Sequence, residues 1–150
     1  MHSAAPFPDT MLRMIDQIDV VSFAGGAHGQ GFVAGRKPVD PKEWFFAAHF
    51  HQDPVQPGSL GLEAFLQLAK VWAERRWGAT AGTRFVTPVP GRTFEWSYRG
   101  QVIPGHREVQ VQASILANHD GERLIELDGF LSVDGRPIYA MNKFTLQLLR

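Results

Sequence analysis

The stretch AAHFHQDPVQPGSLGLEAFLQLAKVWAE, residues 47–74, gathers the side chains of this chain best suited to chemistry. His49, His51 and Asp53 alternate, so an extended backbone would point all three the same way. Imidazole and carboxylate so arranged suit zinc or iron. A second chemistry needs only one histidine and one carboxyl. The imidazole removes a proton beside a carbonyl, and a partly desolvated carboxyl, here Glu63, donates one to a departing hydroxyl. Gly58 adds a backbone N–H at the start of an apolar run, where a helix N-terminus can hold a developing enolate oxygen. Glycine at that point also lets a thioester approach the main chain closely. A third reading assigns no chemistry at all. Pro54 and Pro57 then stiffen a loop, Asp53 caps a turn, the histidines are polar loop residues, and Glu63, Gln67 and Lys70 form a solvated helix face.

These groups must be positioned by the elements around them. Ser59 to Trp77 is the one long helix that the pattern predicts, with Gly78 as its breaker. Between Leu60 and Ala73 only Glu63, Gln67 and Lys70 interrupt the apolar residues, which predicts burial over most of the circumference. With Glu74 those three recur at i, i+4, i+7 and i+11, one narrow polar stripe. Ahead of the stretch, PFPDTMLRMIDQI predicts a short helix capped by Asp9, and IDQIDVVSFAGG and QGFVAGRKPV predict a hairpin around GGAHG. DPKEWFFAAHF reads as a helical turn with Asp40 as cap and Pro41 at its first position.

After Gly82 the pattern becomes that of strands. TRFVTPV, TFEWSYRGQVI, REVQVQASILAN, ERLIELDGFLSVDG and PIYAMNKFTLQLL are separated by turns at Pro90-Gly91, Pro104-Gly105, His119-Asp120-Gly121 and Asp134-Gly135. The predicted class is α+β, a single domain over residues 1–150 with about seven antiparallel strands around one helix. A sheet curled around one helix leaves unpaired edges, and pairing with a second copy would cover them, so a dimer is expected.

Composition narrows the partners. Fifteen basic and fifteen acidic residues give no net charge, and no Lys/Arg cluster is present to neutralise a phosphate backbone, so nucleic acid is not an expected partner. The absence of cysteine removes disulfides, thiolate ligands and cysteine nucleophiles together. Residues 1–17 lack the pattern of a signal peptide, and no apolar run is long enough to span a membrane, so the expected location is cytoplasmic.

Two resemblances bear on the choice of chemistry. His49-Phe50-His51-Gln52-Asp53 matches the HxHxD pattern of metallo-β-lactamase-type hydrolases, but Pro54 stands where that motif continues with histidine. The longer segment AHFHQDPVQPGSLGLEAFLQL resembles the signature of bacterial 3-hydroxyacyl-(acyl carrier protein) dehydratases, HF-x-x-DPV-x-PG-x-LGL-D/E-A-x-x-Q. The agreement runs through His49, Asp53, Pro54, Pro57, Gly58, Leu60, Gly61, Glu63 and Gln67. MLRMIDQI, EWSYRGQVIP and DGFLSVDGRPIYAMNKFTLQL are similar to the family's flanking segments, and the variant most alike is the dehydratase domain of polyunsaturated fatty acid or polyketide synthases.

The resemblance implies a hot-dog fold and a homodimer acting on thioesters of acyl carrier protein, with no cofactor and no metal. It implies His49 as base and Glu63 as acid, meeting across the subunit interface. Gly58 then supplies the oxyanion amide, and Gln67 supports the carboxylate. Relatives that also isomerise the product carry aspartate and cysteine where this chain has Glu63 and Ser59. His51 and Gln52 fall on variable positions. Trp44, Phe45, Phe46, Phe50 and Phe65 could line an acyl tunnel or belong to the core. A hot-dog thioesterase and a non-catalytic acyl-binding domain remain the competing functions.

Overall fold

A computed structural model describes residues 13–44, 46, 58–80 and 82–149, with the side chains of Ser59 and Tyr98 left aside. The elements are β1 (Gln17–Ser22), β2 (Phe32–Pro38), α1 (Gly58–Trp77), β3 (Arg84–Val86), β4 (Glu95–Tyr98), β5 (Glu108–His119), β6 (Leu124–Val133) and β7 (Arg136–Leu149). All the strands form one antiparallel sheet in the order β1-β2-β5-β6-β7-β3, with β4 also pairing with β7. The expected α+β class is therefore the observed one. The short helix expected after Asp9 lies outside the described residues, as does most of the turn after Asp40. Asp40 does cap that turn, accepting the Lys42 N–H on Oδ1 at 2.9 Å.

Sequence alternation explains the sheet. Along β5, Val109, Val111, Ala113 and Ile115 are buried, while Gln110 is exposed and Gln112 and Ser114 are half-buried. This is the period-two pattern of a sheet with one packed face. The β6–β7 connection is the two-residue turn read from Asp134-Gly135, both with positive φ (50° and 82°). The Asp134 carboxylate fixes that turn to β5 by accepting the N–H groups of Arg107 and Glu108 at 3.0 and 2.9 Å. These bonds favour the ionised form, so the Asp134 carboxyl is held below the ordinary carboxylate range.

The helix lies along the inner face through close approaches at glycines. A Cβ built at Gly61 would lie 2.0 Å from Cε2 of Tyr139 on β7. One at Gly129, beside a bulge in the β6–β7 pairing, would meet Phe65 Cε1 at 2.9 Å. One at Gly35 would meet Leu68 Cδ1 at 3.3 Å, and one at Gly31 would meet Trp72 Cζ2 at 2.8 Å. Positions 61, 65, 68 and 72 form one face of a 3.6-residue helix, so this line is the seat of α1 on the sheet. Phe65, Leu68 and Trp72 are buried there with Val33, Val111, Ile115, Leu131, Met141 and Leu146.

The far end of α1 is also fixed. Gly78 ends it in a left-handed conformation (φ 80°), and its N–H donates to the Glu74 carbonyl at 2.7 Å. Trp72 Nε1 donates to the Ser22 carbonyl at 2.8 Å. Arg76 Nη2 and Trp77 Nε1 both donate to the Asp120 carboxylate, at 2.9 and 2.7 Å, tying the last turn to the β5–β6 loop. Those bonds lower the Asp120 pKa to about 2.

Candidate active site

At 3.6 residues per turn, Glu63, Gln67, Lys70 and Glu74 fall on the side of α1 opposite the sheet-facing line. Pattern alone would make that side a solvent face, and the structure corrects this. Gln67 is fully buried, and Glu63, Lys70 and Glu74 are half-buried. Met14, which is buried, reaches this side with its main chain, and the Asp16 N–H ties the segment to β2 through the Arg36 carbonyl at 2.9 Å. Lys70, half-exposed, places Nζ 5.7 Å from the centre of the Phe85 ring on β3.

Glu63 and Gln67 are brought together. Gln67 Nε2 donates to Glu63 Oε1 at 3.2 Å, one helical turn away. The other end of the same amide is occupied, because Oε1 of Gln67 accepts the Met14 N–H at 2.8 Å. A buried amide must have both ends satisfied, and here the carboxylate is among its partners. The Met14 contact was not legible in the sequence. It joins residues 53 apart through a main-chain group, which no side-chain pattern reports.

Gly58 is the first residue of α1, and the first turn carries no acidic side chain. Within that first turn the helix dipole is therefore not offset by a carboxylate. His49 lies outside the described residues, as do His51, Asp53, Pro54 and Pro57. Among the described residues, no group of three or more His, Asp and Glu side chains could hold a metal ion. Of the five aromatic candidates for a tunnel, Phe46 and Phe65 are 5% and 3% exposed and belong to the core cluster, whereas Trp44 is 38% exposed. Phe45 and Phe50 fall outside the described residues.

A groove of about 390 Å3 is lined by Ser97, Arg99, Phe130, Tyr139 and Ala140. It opens on the outer face of the sheet, since Ala140 pairs with exposed Phe130 while α1 packs on the other side. Neither Glu63 nor Gln67 lines it. No described helix is long and apolar enough to cross a membrane.

Comparison with known proteins gives the family. Residues 7–142 match the FabA-like domain. One component of the polyunsaturated fatty acid synthase of Thraustochytrium sp. is 36% identical over 143 residues, which cover 91% of this chain and 9% of that protein. The chain thus spans under a tenth of that relative's length. The fold resembles a chain of the dehydratase heterocomplex ApeI:P from Xenorhabdus doucetiae, with a TM-score of 0.65, 18% identity and coverage of 95% and 87% of the two chains. It also resembles a thioesterase from Haemophilus influenzae, with a TM-score of 0.53, 12% identity and coverage of 89% and 78%. Since a dehydratase and a thioesterase share this architecture, the fold does not by itself choose a reaction. One helix wrapped by an antiparallel sheet, together with a family match over most of its length, makes this chain a hot-dog domain of the FabA-like family.

Proposed function

We propose that this domain removes water from (3R)-3-hydroxyacyl thioesters, carried by acyl carrier protein, to give trans-2-enoyl thioesters in cytoplasmic fatty acid or polyketide synthesis. The observation that carries the reading is the half-buried Glu63 carboxylate, held by the buried Gln67 amide on the helix that Gly58 opens. Such a carboxyl is partly desolvated and fixed in direction, as a proton donor to a leaving hydroxyl must be. The FabA-like family match and the similarity to part of a polyunsaturated fatty acid synthase support the same reaction class.

His49 takes the C2 proton while the Gly58 N–H and the helix dipole stabilise the enolate-like oxygen. The C3–O bond then breaks, and the hydroxyl leaves as water with a proton from Glu63 or from the newly charged His49. With Glu63 as donor the pair ends as imidazolium and carboxylate, and one proton transfer resets it.

A homodimer completes the site in this reading. Strand β4 has β7 on one side only among the described residues. Trp96, register partner of buried Met141, lies on the helix-covered face yet is 36% exposed. An open edge flanked by a half-covered aromatic is what a second copy would cover.

Conversion of a 3-hydroxyacyl thioester to the enoyl thioester, followed in wild type and His49→Ala, tests the proposal. We expect turnover in the first and a loss of at least about a thousandfold in the second. Release of free thiol instead would identify a thioesterase, and binding without either product would identify an acyl-binding domain. Unchanged turnover in His49→Ala would overturn the mechanism.

A further inference from the structure

The Met14–Gln67–Glu63 chain has a direction. A main-chain N–H can only donate, so the group facing Met14 must be the Gln67 carbonyl oxygen, which accepts at 2.8 Å. The amide's NH2 is then committed to Glu63 Oε1 at 3.2 Å. Turning the amide over would bring two donors together at Met14 and set a carbonyl against the carboxylate, in a place where Gln67 has no exposure to water. The amide therefore has one stable orientation.

That orientation is maintained by packing. Ile15 is 1% exposed, and a Cβ built at Gly35 on β2 would lie 2.8 Å from Ile15 Cγ2 and 3.3 Å from Leu68 Cδ1. The missing side chain at Gly35 leaves Ile15 room between β2 and α1. The Asp16 N–H bonds β2 on the residue's other side. Met14 is thereby held against the helix at the level of Gln67.

We propose that the Met14 N–H is a positioning group for the reaction: it locks the Gln67 amide so that Glu63 Oε1 only accepts, leaving Oε2 as the oxygen that carries the transferable proton. This rests on the dehydratase reading above. When protonated, a carboxyl that already accepts on Oε1 carries its hydrogen on Oε2, so the relay selects which oxygen faces the leaving hydroxyl. The N-terminal segment thus contributes a main-chain donor to the amide that holds an acid on α1.

The test separates relay from reaction. Side-chain amide signals of Gln67, recorded by NMR on uniformly 15N-labelled protein, should exchange slowly in wild type and in Met14→Leu, which keeps the N–H. They should exchange rapidly in Met14→Pro, which lacks it. Gln67→Met and Met14→Pro should each lower kcat by about tenfold or more with KM within about twofold, the signature of an interaction that matters in the transition state. Equal exchange in Met14→Pro and wild type, or unchanged kcat in Gln67→Met, would overturn the proposal. Should Met14→Pro fail to fold by circular dichroism, wild-type exchange together with Gln67→Met kinetics decides. If wild type shows no dehydration, the exchange data still report on the relay, so the two failures are distinguishable.

Discussion

The carboxylate of Glu63 is bonded to the amide of Gln67 one helical turn further on, and the amide is buried while the carboxylate is only half so. The acid is thus anchored through Oε1 to a buried amide, on a residue that is itself only half-buried.

If His49 and Glu63 meet across a subunit interface, complementation should reveal it. Neither His49→Ala nor Glu63→Ala protein should dehydrate substrate alone. Unfolded together and refolded, they should recover about a quarter of wild-type activity, because half of the dimers are mixed and each mixed dimer has one intact site. A pair acting within one chain gives no recovery, so the activity of the mixture decides.

Gly61→Ala should destabilise the fold although alanine favours helix by about 1 kcal/mol. The new Cβ would fall 2.0 Å from the Tyr139 ring, and such overpacking costs about 1–3 kcal/mol or more. The clash wins, because the ring is itself 3% exposed and cannot swing into solvent. Urea unfolding should show a lower midpoint for Gly61→Ala. In a double-mutant cycle, Tyr139→Ala should cancel much of the effect.

Asp120 should contribute stability that depends on acid pH. Its folded pKa of about 2 lies below the ordinary value of 3.8, through its bonds to Arg76 and Trp77. The stabilisation is therefore complete above the higher value and disappears as pH falls through the lower one. The pair is exposed, with side chains 33% and 53% accessible, so its worth is limited to less than about 1 kcal/mol. Thermal melts of Asp120→Asn and wild type should differ slightly at neutral pH and converge near pH 2.

Trp72→Phe should cost about 1–3 kcal/mol by leaving the Ser22 carbonyl without its indole donor. The indole itself is fully buried, so its donor is lost from the packed side of the bond. Denaturant unfolding measures the loss. Leu68→Ala, a cavity on the same helix face, should cost about 2–5 kcal/mol by the same measurement.

Local chemistry made much of this molecule legible. The Asp134-Gly135 turn needs two residues with positive φ, Gly78 stops α1 for the same reason, and period-two alternation along β5 marks one packed face. The run from Ser59 to Trp77 identified α1 to within one residue at its start, because a nearly continuous apolar circumference leaves few alternatives. The spacing of Glu63 and Gln67 placed them on one stripe, and resemblance suggested their partnership.

Tertiary structure decided whether that stripe meets water. Periodicity reports which residues share a face, but not what meets that face, and here the Met14 main chain arrives from outside the helix to bond the buried Gln67. Likewise Gly61, Gly35 and Gly129 are needed because Tyr139, Ile15 and Phe65 come within contact of their backbones. Those approaches join residues far apart in the chain, so the requirement for glycine there is set by three-dimensional packing and leaves no local mark in the sequence.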